Sequence, residues 1–310
     1  MNPHNLTSAD FPRFRFSAYL SERSLVPQYK YQTSYWLLPR EERFHSFCGD
    51  PKVPMSRYDT ELQDFPSLFS LKGKIAVVTG GSRGLGLHAA SAFLQAGCST
   101  VYITSRKASA CEAAVSTLNA LPNLSPGAKA ISVPADISTI EGIQHLVSEV
   151  SKTTDHIDIL FANAGATWGE KFDTHPDDAF AKVMNLNVKS VFGTVRLFAP
   201  LLQASATHES PSRVIVTASV AGLGVAPPGP NSAIGYSASK AAAIHLTKTL
   251  AVQLGPRQIL CNSISPGFFP SKMANALLEK KGGAQKTGQG ESKWEVGQTG
   301  GYRGCSGLFG

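Results

Sequence analysis

Tyr236 and Lys240 stand four residues apart in Y-S-A-S-K, and Ser219 lies upstream of both. On a helix that spacing puts the two side chains on one face, the ammonium beneath the phenol. A free tyrosine titrates near pH ~10, too high for acid–base work near neutrality. A fixed positive charge beside it favours the phenolate and lowers that value. Ser219 closes the strand-like run R-V-I-V-T-A-S, where its hydroxyl can hold a carbonyl oxygen. A Tyr–Lys pair alone is a weak signal, because a solvated lysine beside a packed tyrosine is commonplace. Its weight comes from T-G-G-S-R-G-L-G, which begins at Thr79. Beside a phosphate-binding turn, a phenol, an ammonium and a hydroxyl are parts for moving a proton while a hydride moves.

That turn follows residues 74–78, K-I-A-V-V, an apolar run of the kind found in buried parallel strands. Gly80, Gly84 and Gly86 come next, and residues 87–96 are good helix formers. Strand, glycine turn and helix bring backbone N–H groups and a positive helix end to where a pyrophosphate can rest. Ser82, Arg83 and Leu85 sit within the turn and join the glycines as candidate cofactor-binding positions. The spacing is G-x-x-x-G-x-G rather than the commoner G-x-G-x-x-G, so the turn is moderately specific by itself.

The elements that must position these groups alternate along the chain. Ile140, Ile143, Leu146, Val147 and Val150 mark a helical stripe, followed by a strand at 157–162. Phe180, Val183, Met184, Val188, Val191, Phe192 and Val195 mark a longer helix. A strand at 214–216, a helix at 236–254 and a strand at 259–264 complete the pattern. Strands separated by helices imply an α/β fold, a parallel sheet covered on both faces. His88 and His245 read as packed or solvated side chains.

Together the motifs resemble the short-chain dehydrogenase/reductase family, over about residues 68–273 and in the family's order. The resemblance implies a Rossmann-like doubly wound parallel sheet flanked by helices. It implies that Gly80, Gly84 and Gly86 are the cofactor glycines and that Asp136, in P-A-D-I, contacts the adenine. Asn163, in L-F-A-N-A-G, would close the floor beneath the cofactor. Asn187, in M-N-L-N-V-K, would hold a water linking Lys240 to bulk solvent. Ser219, Tyr236 and Lys240 would be the catalytic trio, with Lys240 also orienting the ribose, and Pro266 and Gly267 would begin the loop over the nicotinamide. Ala162 stands where the family often has a second asparagine. The segment from Ser219 to Tyr236 is also longer than the family pattern, filled by A-P-P-G-P-N-S at the mouth of the site. P-G-F-F-P-S-K-M and S-K-A-A-A-I-H-L-T-K look most like the branch of the rhamnolipid-pathway β-ketoacyl reductase and its fungal relatives.

Charge argues for the phosphorylated nucleotide. An acidic residue after the second strand would bond the ribose 2′-OH of NAD, whereas an arginine suits the 2′-phosphate of NADP. Here T-V-Y-I-T runs into Ser105, Arg106 and Lys107 with no carboxylate, and Arg83 lies inside the glycine turn. Guanidinium–phosphate bonds are short and charge-assisted. The expectation is an NADP(H)-dependent enzyme acting on a small-molecule carbonyl substrate, reducing a ketone reversibly to a secondary alcohol. The alternative is a non-catalytic nucleotide-binding protein or the unstable product of a truncated reading frame.

Composition agrees. The chain has 310 residues, 42% apolar, enough for one large core. Its net charge of +7, from 29 basic and 22 acidic residues, forms no long block, so no nucleic-acid partner is expected. The five cysteines (Cys48, Cys98, Cys111, Cys261 and Cys305) form no C-x-x-C pair. They read as reduced thiols in a cytoplasmic protein without a structural metal. No apolar run reaches the ~18 residues of a membrane span.

The ends depart from this pattern. Residues 1–66 hold nearly half the aromatic residues and one glycine, Gly49, and read as a poorly ordered extension, with Met55 the expected biological start. The catalytic domain spans 67–281. Ten of the 29 residues from 282 to 310 are glycine, and such a tail cannot offset its chain entropy by burial. The family's last helix and strand are missing there. Read one nucleotide later, the tail is compatible with that missing segment, so a frameshift or mis-assigned splice site is expected near residues 284–285. Loss of that strand makes a tetramer doubtful and leaves a homodimer through the helices carrying Asn187 and Tyr236.

Overall fold

The structure, a computed structural model, describes residues 68–225, 229 and 231–269. The extension, the proposed start at Met55 and the glycine-rich tail with its missing strand and helix lie outside the described residues.

Strand β1 (Ile75–Thr79) is buried along nearly its whole length, as its run of branched and small residues requires. It is joined by β2 (Thr100–Thr104), β3 (Lys129–Ser132), β4 (Ile159–Ala162), β5 (Ser212–Thr217) and β6 (Ile259–Ile264). All pair in parallel, in the order β3-β2-β1-β4-β5-β6. The chain moves outward from β1 through β2 and β3, then crosses back to β4. The crevice at that reversal, beyond the carboxyl ends of β1 and β4, is where such sheets bind ligands.

Side-chain alternation splits the core in two. Ala76 and Val78 join Ile103, Ile159 and Phe161 beneath helices α1 (Gly84–Gln95) and α2 (Ala108–Asn119), which contribute Ala90, Leu94, Cys111 and Leu118. Val77, Tyr102, Leu160, Val214 and Val216 face the other way. They meet α3 (Ile140–Ser151), α5 (Ser190–Ala204) and α6 (Ile234–Leu254) through residues such as Leu146, Phe198 and Leu250. On β6, Ile259 and Cys261 enter this second core, whereas Leu260 and Ile264, on the opposite face, stay exposed.

Two details refine the sequence reading. Helix α1 begins at Gly84, so Gly84 and Gly86 belong to its first turn instead of preceding it. The longer helix expected around Asn187 is three pieces: α4 (Asp177–Met184), a π-helical turn (Asn185–Lys189) and α5. An extra residue in one turn swings the side chain that follows it, a device common at functional sites. Here it carries the buried Asn187.

Candidate active site

The glycine turn is shaped by close approach. Gly80 has φ +63°, and a Cβ there would come within 2.9 Å of Ala164 Cα. At Gly86 a Cβ would lie 2.4 Å from the Gly80 carbonyl oxygen, so this glycine lets α1 press against the turn. The Arg83 side chain does not cap the helix it precedes, and the first turn holds no acidic residue. A positive helix end is thus left facing the cleft.

Beneath the turn, Asn163 ties three strand ends together. Its amide nitrogen donates to the carbonyls of Thr79 (3.1 Å) and Gly80 (3.4 Å), and its Oδ1 accepts from Thr217 Oγ1 (3.2 Å). Thr79 Oγ1 in turn accepts from the backbone N–H groups of Asn163 and Ala164. These bonds lock the carboxyl ends of β1, β4 and β5 to one another. Thr79 and Thr217 were not singled out, although each directly adjoins a motif that was.

Tyr236 and Lys240 do share a face of α6, with Lys240 Nζ 5.6 Å from the phenol ring centroid. Ala238 and the run Ala241 to Ala243 favour the helix, which stops at Gly255 and Pro256. Lys240 is buried, and its Nζ donates to the Thr217 carbonyl oxygen at 2.6 Å. Ser219, also buried, ends β5's extension and accepts from the Ala221 N–H.

The electrostatics correct one expectation. Burial pushes the Tyr236 phenol above its ordinary value, and the Ser219 hydroxyl offsets this only in part. Burial also pulls Lys240 down, from 10.5 to about 8. Lys240 therefore does not make the phenol acidic in this protein without its ligands. For the phenol, removal from water outweighs the Ser219 hydrogen bond, and the raised pKa keeps Tyr236 protonated at neutral pH.

Asn187 works from behind the cleft. Its Oδ1 accepts from Ala166 N–H (2.9 Å), and its Nδ2 donates to Ala166 O (2.9 Å) and Ser239 Oγ (2.8 Å). Both amide hydrogens are thereby used, so its side chain clamps the 165–167 segment instead of donating to a water. Ser239, lying between Tyr236 and Lys240 in sequence, completes the link by donating to the Tyr236 carbonyl.

One cleft of about 620 Å³ runs across these features. Gly80, Ser82, Arg83, Gly84, Leu85, Arg106, Asp136, Asn163, Ser219, Tyr236, Lys240, Pro266 and Gly267 all line it. Gly86 and Asn187 do not; they shape it from outside. Lys107, Thr104 and the exposed His88 line it as well. Burial opposes ionisation of Asp136, but bonds from the Ser138 hydroxyl and N–H, with the Arg106 charge, hold its carboxyl below the usual range. The residues fit a nicotinamide dinucleotide: an uncapped helix end, a cradle that a Cβ would fill, and a basic far end. Thr104 Oγ1, buried there without a protein partner, is a further polar group for such a ligand. Among the described residues, no helix is long and apolar enough to cross a membrane.

The chain belongs to the short-chain dehydrogenase family, whose model matches residues 74–282. It is therefore an oxidoreductase with a Rossmann-like sheet. It is 40% identical over 209 residues to the rhamnolipids biosynthesis 3-oxoacyl-[acyl-carrier-protein] reductase of Pseudomonas aeruginosa, covering 67% of this chain and 78% of the relative. The short-chain dehydrogenase/reductase PhomF of the fungus Diaporthe leptostromiformis is 29% identical, covering 68% and 75%. Among solved structures, the Pseudomonas aeruginosa RhlG/NADP active-site complex superposes with a TM-score of 0.63 at 39% identity, over 68% of this chain and 78% of that one. These likenesses agree with the branch that the motifs suggested.

Proposed function

We propose that the protein is an NADP(H)-dependent carbonyl reductase that interconverts a ketone and a secondary alcohol. The observation that carries the reading is the meeting of Ser219, Tyr236 and Lys240 in the cleft whose other end holds Arg83 and Arg106. The NADP complex of a similar reductase supports the nucleotide, and the 3-oxoacyl substrate named for that relative supports a β-ketoacyl or related carbonyl.

In this reading Gly80, Ser82, Gly84, Leu85 and the N-terminus of α1 would hold the pyrophosphate. Asp136 would contact the adenine, and Arg106 and Arg83 would pair with the 2′-phosphate. Pro266 and Gly267 would lie over the nicotinamide, which when bound would provide the hydride that the carbonyl carbon takes up. Ser219 donates a hydrogen bond to the carbonyl oxygen and holds it towards Tyr236. The phenol, kept protonated by its buried setting, gives its proton to that oxygen as negative charge develops there, completing the alcohol. The resulting phenolate lies on the same helix face as the Lys240 ammonium, whose charge stabilises it at that stage. Asn187 positions the pair through Ala166 and Ser239.

The test is NADPH consumption by the purified full-length chain with a panel of ketones and 3-oxoacyl thioesters. Tyr236→Phe is expected to lower kcat by roughly 100- to 10,000-fold, the usual worth of a positioned general acid, while NADPH still binds. A variant that keeps most of its turnover would falsify the role of Tyr236. Product analysis without net oxidation or reduction would replace the reductase reading altogether.

A further inference from the structure

The π-helical turn that carries Asn187 is gripped from outside its own helix. Such a turn is rare in a helical segment and persists where contacts beyond the helix favour it. At its first residue, Asn185, the carbonyl accepts the wide-turn bond from the Ser190 N–H. The Asn185 side chain reaches away, and its Nδ2 donates to the Ser138 carbonyl at 2.8 Å. Leu186 then lines the cleft, and Asn187 is spent on Ala166 and Ser239. Three consecutive residues thus serve three parts of the site.

The loop that Asn185 grips lies at the nucleotide end of the cleft. Asp136 and Ile137 line the cleft, and Ser138 follows them directly. The Ser138 N–H and hydroxyl both donate to Asp136 Oδ1, at 3.0 and 2.7 Å, which binds the carboxylate and the Ser138 backbone into one tight turn. Helix α3 packs hard against that turn. Thr139 Oγ1 donates to the Asp136 carbonyl and accepts from the Gly142 N–H, and a Cβ at Gly142 would lie 2.0 Å from the same carbonyl oxygen. On its other side α3 meets α5, where a Cβ at Gly193 would come within 3.1 Å of Ile143. The 136–138 loop, α3 and α5 therefore form one packed body, and Asn185 ties the π turn to it.

We propose that Asn185 is a positioning residue for the catalytic end of the cleft. By holding the π turn against the 136–138 loop, it fixes the direction in which Asn187 points. Asn187 in turn holds the 165–167 segment and, through Ser239, the helix that carries Tyr236 and Lys240. A nucleotide touching Asp136 stiffens the same loop, so occupation of the adenine end reaches the catalytic end through one side-chain amide. This rests on the carbonyl-reductase reading for its nucleotide and adds how the two ends of the site communicate. A side chain that merely satisfied a loop carbonyl would cost stability when lost and would leave that communication unchanged.

The experiment compares the full-length chain with Asn185→Leu, which keeps the side chain's size without its donor, and Asn185→Asp, which keeps its shape; either variant serves if the other fails to fold. The probe is adenosine 2′,5′-bisphosphate, which carries the adenine and the 2′-phosphate but no nicotinamide. Hydrogen exchange of peptides covering 165–168 and 185–190 is followed with and without it. In the wild type the probe should slow exchange there about threefold or more, within the range by which linked residues modulate coupling. In the variants the probe should still bind, with its Kd changed by less than about threefold, and the slowing should disappear. With NADPH and a ketone that the wild type reduces, kcat should fall roughly 10- to 100-fold, the scale set by a slightly misplaced reacting group, while KM for NADPH stays within about threefold. Slowing that survives in the variants, absence of slowing in a wild type that binds the probe, or an unchanged kcat overturns the proposal and leaves the reductase reading intact. If no ketone is reduced, the reductase reading fails instead, and hydrogen exchange alone decides on Asn185. A wild type that does not bind the probe loses the proposal, and the reading as well if it consumes no NADPH.

Discussion

Replacing Lys240 by methionine tests the electrostatic argument apart from catalysis. The folded protein holds this ammonium almost out of water and pulls it from 10.5 to about 8. At ~1.4 kcal/mol per tenfold change, that costs roughly 3 kcal/mol of stability at neutral pH. The cost is fully present below the folded value, where both states are protonated. Between about 8 and 10.5 the folded chain releases its proton while the unfolded chain keeps it, so stability recovers as pH rises. Lys240→Met removes this dependence. It also strips the Thr217 carbonyl of its 2.6 Å partner, a loss of about 1–3 kcal/mol that does not vary with pH. At pH ~7 the variant should thus equal or exceed the wild type in stability while losing activity. By pH ~10.5 it should have lost roughly 3 kcal/mol relative to it. Urea unfolding of both proteins across this range reads the difference directly, and groups that titrate in both cancel. A difference curve that stays flat within about 1 kcal/mol would refute the reasoning, because Lys240 would then not be desolvated.

Two further outcomes follow from the cleft. Gly86→Ala places a methyl 2.4 Å from the Gly80 carbonyl oxygen, so α1 must shift; a stability loss of about 1–3 kcal/mol and weaker NADPH binding are expected by thermal unfolding and fluorescence titration. Arg106→Asp should lower the preference for NADPH over NADH by roughly tenfold or more, since a charge-assisted phosphate contact becomes a repulsion; an unchanged ratio of the two kcat/KM values assigns the 2′-phosphate elsewhere.

Much of this was legible along the chain because parallel sheets repeat one local rule. β1, β2 and β6 fell where apolar runs were read, and the glycine turn followed β1 as its spacing implied. The i to i+4 spacing alone brought Tyr236 and Lys240 to one face. What stayed hidden depends on partners distant in sequence. Asn187 turned inward through a π-helical turn, which no periodicity signals, and was spent on Ala166 and Ser239. His88 is exposed, as its type suggested, but only the course of α1 puts it at the cleft.

The order of elements, the residues able to carry chemistry and the lack of an acidic residue beside the second strand are all readable along the chain. Those are matters of local pattern and residue type. The tertiary structure decided the sign of the electrostatics, because burial comes from the whole surrounding fold. It pushed the phenol up and the ammonium down, where spacing alone argued that one would acidify the other. It also joined Ser232 and Asn231, before Tyr236, to Glu170 and Gly169. No local rule contains that contact, since its two halves are far apart along the chain and meet only when the sheet has closed.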